Sequence, residues 1–290
     1  MSENKALNVL LQLGKAICYI LLYFGMQMIL DMGLMIIYIV MAAVKSGGQA
    51  GAYDPMTIVD EAMNYILGIQ PWVIIASTII TMLILWGFFA IRKKKLPAEA
   101  RMQTMKPQLL LPLILAGVGF ALAIEVGMEL LPIPEALMEA YGEQAGMLVV
   151  DSVLLMFVAE VIAAPVIEEI IFRGLVLSRL RRAMPTWVAV LVSSLAFGLV
   201  HGQPIWMAYT FLFGILLSVV AVKADSIYAS MVVHMTFNLL GALVLPAVLP
   251  EEVPATSVLL VLLVVGIAVL AAGMVLLQKM TKKDLTNDVQ

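Results

Sequence analysis

Charged side chains are scarce in this chain of 290 residues: they make up 13% of the total, while 63% of the residues are hydrophobic and the mean hydropathy is +1.04. Soluble domains contain about twice this share of charge. The charges are bunched between apolar runs of about 18 residues or more, the length of a membrane-spanning helix. The composition therefore excludes an ordinary soluble domain, and the unbroken runs exclude the short alternating segments of a transmembrane β-barrel.

Cysteine and histidine are nearly absent as well. The single cysteine, Cys18, excludes an internal disulfide and a cysteine-based metal cage. The formal net charge of −3 is too small to indicate a nucleic-acid partner, so we expect none. Both histidines, His201 and His234, fall inside predicted spans, which indicates that their placement is selective.

The apolar runs predict an all-α polytopic transmembrane bundle of about eight helices. No linker or internal repeat divides the chain, so residues 1–290 are predicted to form a single membrane domain. The predicted spans cover residues 16–44, 71–91, 109–131, 147–177, 187–201, 204–222, 227–249 and 256–278.

Basic residues follow every second predicted span, and the other connections are acidic or neutral. Because lysine and arginine favour the cytoplasmic side of a membrane, this pattern predicts that both termini are cytoplasmic. Lys45 alone is off this pattern. The basic residues are Arg92, Lys93, Lys94, Lys95, Arg101, Lys106, Arg179, Arg181, Arg182, Lys223, Lys279, Lys282 and Lys283. The acidic residues are Asp54, Asp60, Glu61, Glu135, Glu139, Glu143, Glu251 and Glu252.

The fourth predicted span carries ionisable residues that are expensive inside a membrane. Glu169 and Arg173 are four residues apart, the spacing at which helical side chains touch and can neutralise each other. Glu168 is rotated from Glu169 by about 100° and is left free of that pairing. The pattern fits a site with one free carboxylate, and it equally fits a helix-packing ion pair beside a boundary glutamate.

The histidines supply further polar groups at depth. His201 ends the pattern Phe-x-x-x-His that begins at Phe197, while His234 and Asn238 are one helical turn apart and face the same way. At about 1.5 Å per helical residue, Glu168 lies roughly 16–21 Å, His234 roughly 16 Å and His201 roughly 20–28 Å from the nearest basic cluster. These depths make convergence of the side chains plausible if the chain bends near Gly202.

Four other acidic residues in the spans have less specific interpretations. Asp31 is expected to make a helix-packing hydrogen bond, and Glu125 and Glu129 to face the outer interface. Glu160 shares a helix face with Glu168, so it either lines the same cavity or bonds to a neighbouring helix.

Together, the Glu-Glu-x-x-x-Arg, Phe-x-x-x-His and His-x-x-x-Asn patterns resemble the CAAX-protease and bacteriocin-processing (CPBP, or Abi) family of intramembrane proteases, which includes the type II CAAX prenyl endopeptidases. The resemblance covers a catalytic core at about residues 145–245 and leaves residues 1–144 as extra N-terminal spans of unassigned role. It implies hydrolysis of a peptide bond within the membrane.

In family terms Glu168 resembles the general base that activates water, assisted by His201. His234 and Asn238 resemble the groups that position the water or stabilise the oxyanion, and Glu169 and Arg173 resemble supporting residues. Amide hydrolysis needs such a base and such donors.

The metal requirement stays open at this point. Glu168, His201 and His234 could complete a three-ligand Zn²⁺ site with water in the fourth position. A metal-independent glutamate protease is the preferred interpretation, because Asn238 makes a better oxyanion donor than a metal ligand.

The resemblance implies membrane lipid and a protein or peptide substrate as partners, with either a prenylated C-terminus or a leader peptide cleaved near the cytoplasmic side. The expected location is that of a multi-pass integral membrane protein, in the inner or plasma membrane if the source is a bacterium or an archaeon. Two alternatives remain: a proton-coupled transporter, because intramembrane glutamate and histidine also form proton relays, and a catalytically silent immunity or scaffold protein of the same fold. Paired, Gly/Pro-interrupted segments in matching halves, typical of carriers, are missing from the sequence.

Overall fold

The computed structural model of the protein describes residues 3–45, 55–146, 152–248 and 255–281, and within these ranges the chain is helical and contains no strand. The orientation of the termini was predicted in part from Asp54, Glu251, Glu252, Lys282 and Lys283, and these five residues lie outside the described ranges. The α-helices are α1 Glu3–Lys45, α2 Pro55–Gly68, α3 Gln70–Ile91, α4 Leu96–Glu99, α5 Leu110–Leu130, α6 Glu135–Gly146, α7 Val153–Met156, α8 Ala164–Glu168, α9 Leu177–Leu180, α10 Thr186–Leu199, α11 Pro204–Ala224, α12 Ile227–Leu239, α13 Leu245–Val248 and α14 Thr256–Thr281. A 3₁₀ turn covers Pro107–Leu109, and π-helical segments cover Phe157–Ala163, Glu169–Val176 and Leu240–Val244.

Six helices of the described ranges are long and apolar enough to cross a membrane: Lys5–Lys45, Gln70–Ile91, Pro107–Leu130, Pro204–Ala224, Ile227–Val248 and Thr256–Thr281. The other two predicted spans differ in form. Residues 153–180 make one helical run in which α and π segments alternate. Helix α10 has 14 residues, so at about 1.5 Å per residue it is shorter than the hydrocarbon core of about 30 Å. The predicted all-α fold is confirmed, and the chain is an integral, multi-pass membrane protein.

The run 153–180 lies at the centre of the bundle. Ile167, Ile170, Ile171 and Phe172 are completely buried, and Leu175 is 1% exposed. Val158 and Ile162, in the first half of the run, are exposed at 38% and 37%. Glu169 and Arg173, which lie in the second half, are therefore enclosed by protein rather than by lipid.

Glycine allows α5 and α14 to pack closely. A Cβ atom added to Gly119 would lie 2.2 Å from the backbone nitrogen of Leu270, and one added to Gly273 would lie 2.7 Å from the backbone nitrogen of Ala116. Small residues at such positions let two membrane helices approach backbone to backbone. This pair forms one side of the bundle, and α5 also packs against α12.

The N-terminal helices form an antiparallel hairpin beside the central run. Tyr19 stacks on Phe89 with ring centroids 6.5 Å apart, and Tyr38 contacts Tyr65 at 5.1 Å. Between these contacts the side-chain amide of Gln70 donates to Asp31 Oδ1 at 3.4 Å. The helix-packing hydrogen bond predicted for Asp31 is confirmed.

The connecting segments gather at two ends of the bundle. At one end, which we call the basic end, Glu99 binds Lys94 at 2.7 Å and Arg179 at 2.8 Å, while the amide of Asn8 donates to the carbonyl of Arg182 at 3.3 Å. Loop 92–106, residues 179–186 and residues 223–227 meet there, joined by the Arg101–Asp225 ion pair.

The other end, which we call the acidic end, carries α6 with Glu135, Glu139 and Glu143. Helix α6 is attached to the start of α11, because the side-chain amide of Gln203 donates to the carbonyl of Leu137 at 3.4 Å. The two ends thus separate the described basic loops from α6. Which end faces the cytoplasm stays a prediction.

Candidate active site

A buried ion pair anchors the site from behind. Glu169 Oε1 accepts from Arg173 Nη1 at 2.8 Å and from His234 Nδ1 at 2.9 Å, and the Glu169 side chain is completely buried. The guanidinium of Arg173 lies 4.2 Å from the centre of the Phe197 ring and reaches the carbonyl of Gly214 at 3.4 Å. The four-residue spacing thus produces the pair that the sequence predicts, and the pair also orients His234.

Glu168 stands one residue before this pair but has different surroundings. Its Oε2 atom lies 3.8 Å from His234 Nε2, too far for a good hydrogen bond. Its side chain is 13% exposed, against 0% for Glu169. His234 therefore stands between two carboxylates, with Nδ1 bound to Glu169 and Nε2 facing Glu168.

A tight turn after α10 positions His201. The ring nitrogen Nδ1 of His201 lies 2.7 Å from the carbonyl oxygen of Phe197, which can only accept. This contact assigns the proton to Nδ1 and leaves Nε2 as an acceptor in the neutral ring. Gly202 follows with a φ of +72°, a conformation that favours glycine, and the side chain of Gln203 caps α11 by accepting from the backbone N–H of Trp206 at 2.9 Å. The bend expected at Gly202 is present.

Asn238 is tied to the π-helical segment Phe157–Ala163. Its side-chain amide donates to the carbonyl oxygen of Glu160 at 2.7 Å. Because π-helical hydrogen bonds run from i to i+5, such a segment can leave a carbonyl free for another partner. One amide hydrogen of Asn238 is used in this way, and the second remains for another acceptor.

Phe197 connects the polar groups of the site. Its ring contacts His201 at 4.9 Å and His234 at 5.9 Å, both edge to face, besides the guanidinium of Arg173. Phe213 covers His234 from another side at 5.2 Å. The sequence analysis used Phe197 only as one letter of a motif. The structure shows that its ring separates the buried ion pair from His201.

A cavity of about 570 Å³ brings the predicted residues together. Glu168, His201, His234 and Asn238 all line it, although they belong to three separate helical regions. Glu169 and Arg173 do not line it, in keeping with a supporting position behind His234.

The N-terminal spans, whose role the sequence left unassigned, supply part of the cavity wall. Tyr23 and Gln27 come from α1, Ile74 from α3 and Glu125 from α5. The expectation that Glu125 faces the outer interface is wrong, because α5 is packed between α12 and α14 with this residue turned inward. Glu160 also lines the cavity, as one of its two interpretations proposed.

The cavity leads to the acidic end of the bundle. Its outer lining includes Tyr141, Ala145 and Gly146 of α6, and Trp206 at the start of α11, whose ring contacts that of Tyr141 at 6.1 Å. Among the described residues, none of the basic-end segments contributes to the lining. The lining alone does not give the direction from which a substrate enters, so the expectation that the site is reached from the cytoplasmic side stays a prediction.

The arrangement of possible metal ligands bears on the Zn²⁺ alternative, which stays open. Among the described residues, no group of three or more histidine, cysteine, aspartate or glutamate side chains is placed to hold a metal ion. Glu168, His201 and His234 therefore do not form a ready three-ligand site in this structure.

Intramembrane polar cavities of this kind, enclosed by separate spans, define a class of membrane proteins that carry out chemistry or transport within the bilayer. Residues 150–240 match a family model described as type II CAAX prenyl endopeptidase, Rce1-like. All six predicted site residues lie inside this match, and the resemblance predicted from the three patterns is confirmed over it.

A curated relative is the "Uncharacterized 24.3 kDa protein" of Escherichia coli, which is 31% identical over 99 residues, or 32% of this chain. The chain spans about half of that relative, 46% of its length. No solved structure matches the chain significantly.

Proposed function

We propose that this protein is an intramembrane endopeptidase of the CAAX-protease type, in which Glu168 activates water against a peptide bond. One observation carries the proposal: Glu168, His201, His234 and Asn238, from separate helical regions, line one cavity. The match over residues 150–240 supports the same reaction class.

The surroundings of each residue support a definite role. Glu168 is free of the Arg173 pair and takes a proton from water, and Nε2 of His201 accepts a hydrogen bond from that water. The hydroxide attacks the carbonyl carbon of the peptide bond, and the free amide hydrogen of Asn238 donates to the oxyanion. The C–N bond then breaks, and Glu168 returns its proton to the leaving amine.

His234 has a positioning role in this scheme. Its Nδ1 atom is fixed by Glu169, which is itself fixed by Arg173. The ring is therefore held in one orientation, with Nε2 3.8 Å from Oε2 of Glu168, where it can accept from Glu168 once that carboxyl has taken the proton from water. The ion pair contributes by holding His234 rather than by touching the substrate.

The test is cleavage of fluorogenic peptides by the purified protein in detergent, using matched peptides with a farnesylated CAAX end, with the same end unmodified, and with an internal apolar segment. We expect Glu168→Gln to lower kcat by roughly 10²–10⁴-fold, the usual contribution of a general base. Glu129→Gln is the matched control, because Glu129 is exposed at the end of α5 and does not line the cavity.

The peptide series and a chelator separate the remaining alternatives. Activity that survives chelation assigns a metal-independent glutamate mechanism. Loss on chelation with recovery in Zn²⁺ assigns Glu168, His201 and His234 as ligands instead. Cleavage that is equal in wild type and Glu168→Gln contradicts the proposal. Absence of cleavage of every peptide by the wild type would favour a catalytically silent protein of the same fold.

A further inference from the structure

We infer that the cavity contains a second binding site, which takes a lysine or arginine side chain of the substrate. It consists of four residues, which we call the cation subsite: Glu125, Tyr141, Trp206 and Tyr209. All four line the cavity, and none belongs to the predicted catalytic set. The inference rests on the proposed peptidase function and deepens it, because it names a substrate side chain that is recognised apart from the cleaved bond.

Three aromatic side chains from two helices form the walls of the cation subsite. The rings of Tyr141 in α6 and Trp206 in α11 contact each other at 6.1 Å, with their planes 85° apart. Tyr209 follows Trp206 by three residues and so lies on the same face of α11, with its hydroxyl group beside that of Tyr141. The faces of aromatic rings attract cations, and tryptophan does so most strongly.

Glu125 of α5 places a carboxylate beside these rings. Its charge acts on the hydroxyl groups of both Tyr141 and Tyr209, so the three side chains are neighbours. Glu129 lies one turn further along α5, but it is exposed and does not line the cavity. Aromatic rings and a carboxylate around one space supply both attractions that hold an ammonium or guanidinium group.

The chain offers no counter-charge for Glu125. Among the described residues, none of the lysines, arginines and histidines forms an ion pair with it. Outside those residues, the only basic side chains are Lys282 and Lys283. They directly follow α14, whose last turns lie at the basic end, where Gln278 binds Lys223. A carboxylate in a poorly hydrated cavity attracts a cation strongly, so we expect a bound molecule to supply the positive charge.

The distance from the cation subsite to the cleaved bond follows from the course of α11. Phe213 of this helix contacts His234 at 5.2 Å. Tyr209 and Trp206 precede Phe213 by one and two helical turns, which is about 6 and 10 Å along the axis. An extended peptide advances about 3.3 Å per residue. A peptide bond held at Glu168 therefore brings the side chain two or three residues away to the cation subsite.

Binding of labelled peptides tests the inference without any need for cleavage. The protein carries Glu168→Gln, so that the peptide stays intact, and the peptides share one apolar sequence with a fluorophore at one end. Their central residue is lysine, trimethyllysine or the uncharged carbon isostere of trimethyllysine, and Kd is measured by fluorescence anisotropy in a neutral detergent. Trimethyllysine keeps the charge but has no N–H to donate, so its advantage over the isostere reports attraction by charge and by aromatic faces.

We expect the trimethyllysine peptide to bind about tenfold more tightly than its isostere, and Glu125→Gln and Trp206→Leu each to reduce this ratio about threefold or more. The matched controls are Glu129→Gln and Trp187→Leu, which should leave the ratio unchanged because both residues are exposed and neither lines the cavity. Equal Kd values for the two peptides would overturn the inference, and so would an equal effect of the control variants. Should Trp206→Leu fail to fold, the nearly isosteric Glu125→Gln decides alone.

The cleavage assay distinguishes a failure of the cation subsite from a failure of the proposed function. Cleavage that depends on Glu168, together with equal Kd values for the two peptides, contradicts the cation subsite alone. A tenfold ratio of Kd values that Glu125→Gln reduces, without cleavage of any peptide by the wild type, contradicts the peptidase and leaves the cation subsite in place.

Discussion

At the scale of single residues, the adjacent glutamates Glu168 and Glu169 have different roles because their neighbours differ. Glu169 is enclosed between Arg173 and His234, while Glu168 faces the cavity with a longer approach to His234. A buried charge that loses its partner is strongly destabilising, whereas a cavity-facing carboxylate can be exchanged at little structural cost. The two residues should therefore respond differently to the same substitution.

We predict that Glu169→Gln lowers the free energy of unfolding by about 3–5 kcal/mol, because it leaves the Arg173 guanidinium buried without a counter-charge. Glu168→Gln is the matched variant and should lower kcat by roughly 10²–10⁴-fold while keeping the unfolding temperature near that of wild type. Thermal unfolding in detergent, followed by tryptophan fluorescence, measures the stability of both variants, and the peptide assay measures their cleavage. Equal loss of stability in the two variants would contradict the division of roles.

Asn238 gives a second prediction at this scale. Asn238→Asp keeps the size of the side chain but removes both amide donors, so the contact with the Glu160 carbonyl becomes a contact between two acceptors. We expect kcat to fall by roughly 10²-fold, the usual loss for one oxyanion donor, with a smaller change in KM. Peptide kinetics check this, and unaltered kcat would exclude Asn238 as a donor.

Residue spacing predicted the pairing partners but not the rotation of every helix. The Glu169–Arg173 pair and the bend at Gly202 follow from short-range geometry, and both are present. The placement of Glu125 was wrong because the apolar sequence of α5 does not distinguish the face that packs on α14 from the face that lines the cavity. That choice depends on glycines in α14, which are distant in sequence.

At the scale of helices, close packing between α5 and α14 is set by glycine. We predict that Gly119→Ala destabilises the protein by about 1–3 kcal/mol, the usual cost of overpacking, because the added methyl group meets the backbone of Leu270. Gly127→Ala is the control on the same helix, where a Cβ has no atom within 4 Å. Unfolding temperatures compare them, and equal values would show that the helices can separate without cost.

The short helix α4 provides a pH-dependent contact at the basic end. The hydrogen bond from Lys94, together with the charges of Arg179 and Arg182, holds the pKa of the Glu99 carboxyl below its usual 4.5, although burial acts in the opposite direction. A carboxylate with a lowered pKa stabilises the folded state above its unfolded pKa, and this stability is lost as the pH falls through the lowered value.

We therefore predict that Glu99→Gln unfolds at a lower temperature than wild type near neutral pH and that the difference disappears as the pH falls below about 4.5. Melting curves across an acid pH series measure this. A difference that persists in acid would mean that the contact depends on shape rather than charge.

Hydropathy predicted the six long spans, but it did not predict the form of the other two segments. Six predicted spans appear as helices long enough to cross the membrane, whereas α10 is short and the run 153–180 contains π segments. Hydropathy averages over a window and does not register that α10 ends at Leu199, before His201. It also cannot register a change of helical type, because both types are apolar here.

At the scale of the whole molecule, the cavity belongs to the full chain rather than to the family-matched segment. Residues 150–240 contain the predicted catalytic groups, but Tyr23, Ile74 and Glu125 from the first three spans close the wall around them. The proposed catalytic core thus needs residues 1–144 for an enclosed reaction space. Sequence patterns identified the chemistry, while the enclosure required the three-dimensional packing of spans that carry no motif.

The charge of this wall predicts a substrate preference. Glu125, Glu160 and Glu168 line the cavity, and no lysine or arginine does so among the described residues. A peptide with lysine on either side of the cleaved bond should have a lower KM than the same peptide with glutamate there, because opposite charges attract strongly in a poorly hydrated cavity. Glu125→Gln should reduce the difference. Equal KM values for the two peptides would show that the peptide residues beside the cleaved bond lie outside the cavity.

The π-helical segment Phe157–Ala163 has a consequence for how the protein tolerates changes of length. A π segment holds one residue more than the α-helix it replaces, so removing a residue there converts the run to a regular helix without breaking it. Deletion of Ile162 would therefore keep the residues on both sides near their present orientation, because the π turn and the α turn that replaces it cover nearly the same rotation. The carbonyl of Glu160 would then accept from the backbone of its own helix instead of from Asn238, and the site would lose this contact while the span remained. The extra residue at this point thus serves the site and not the span.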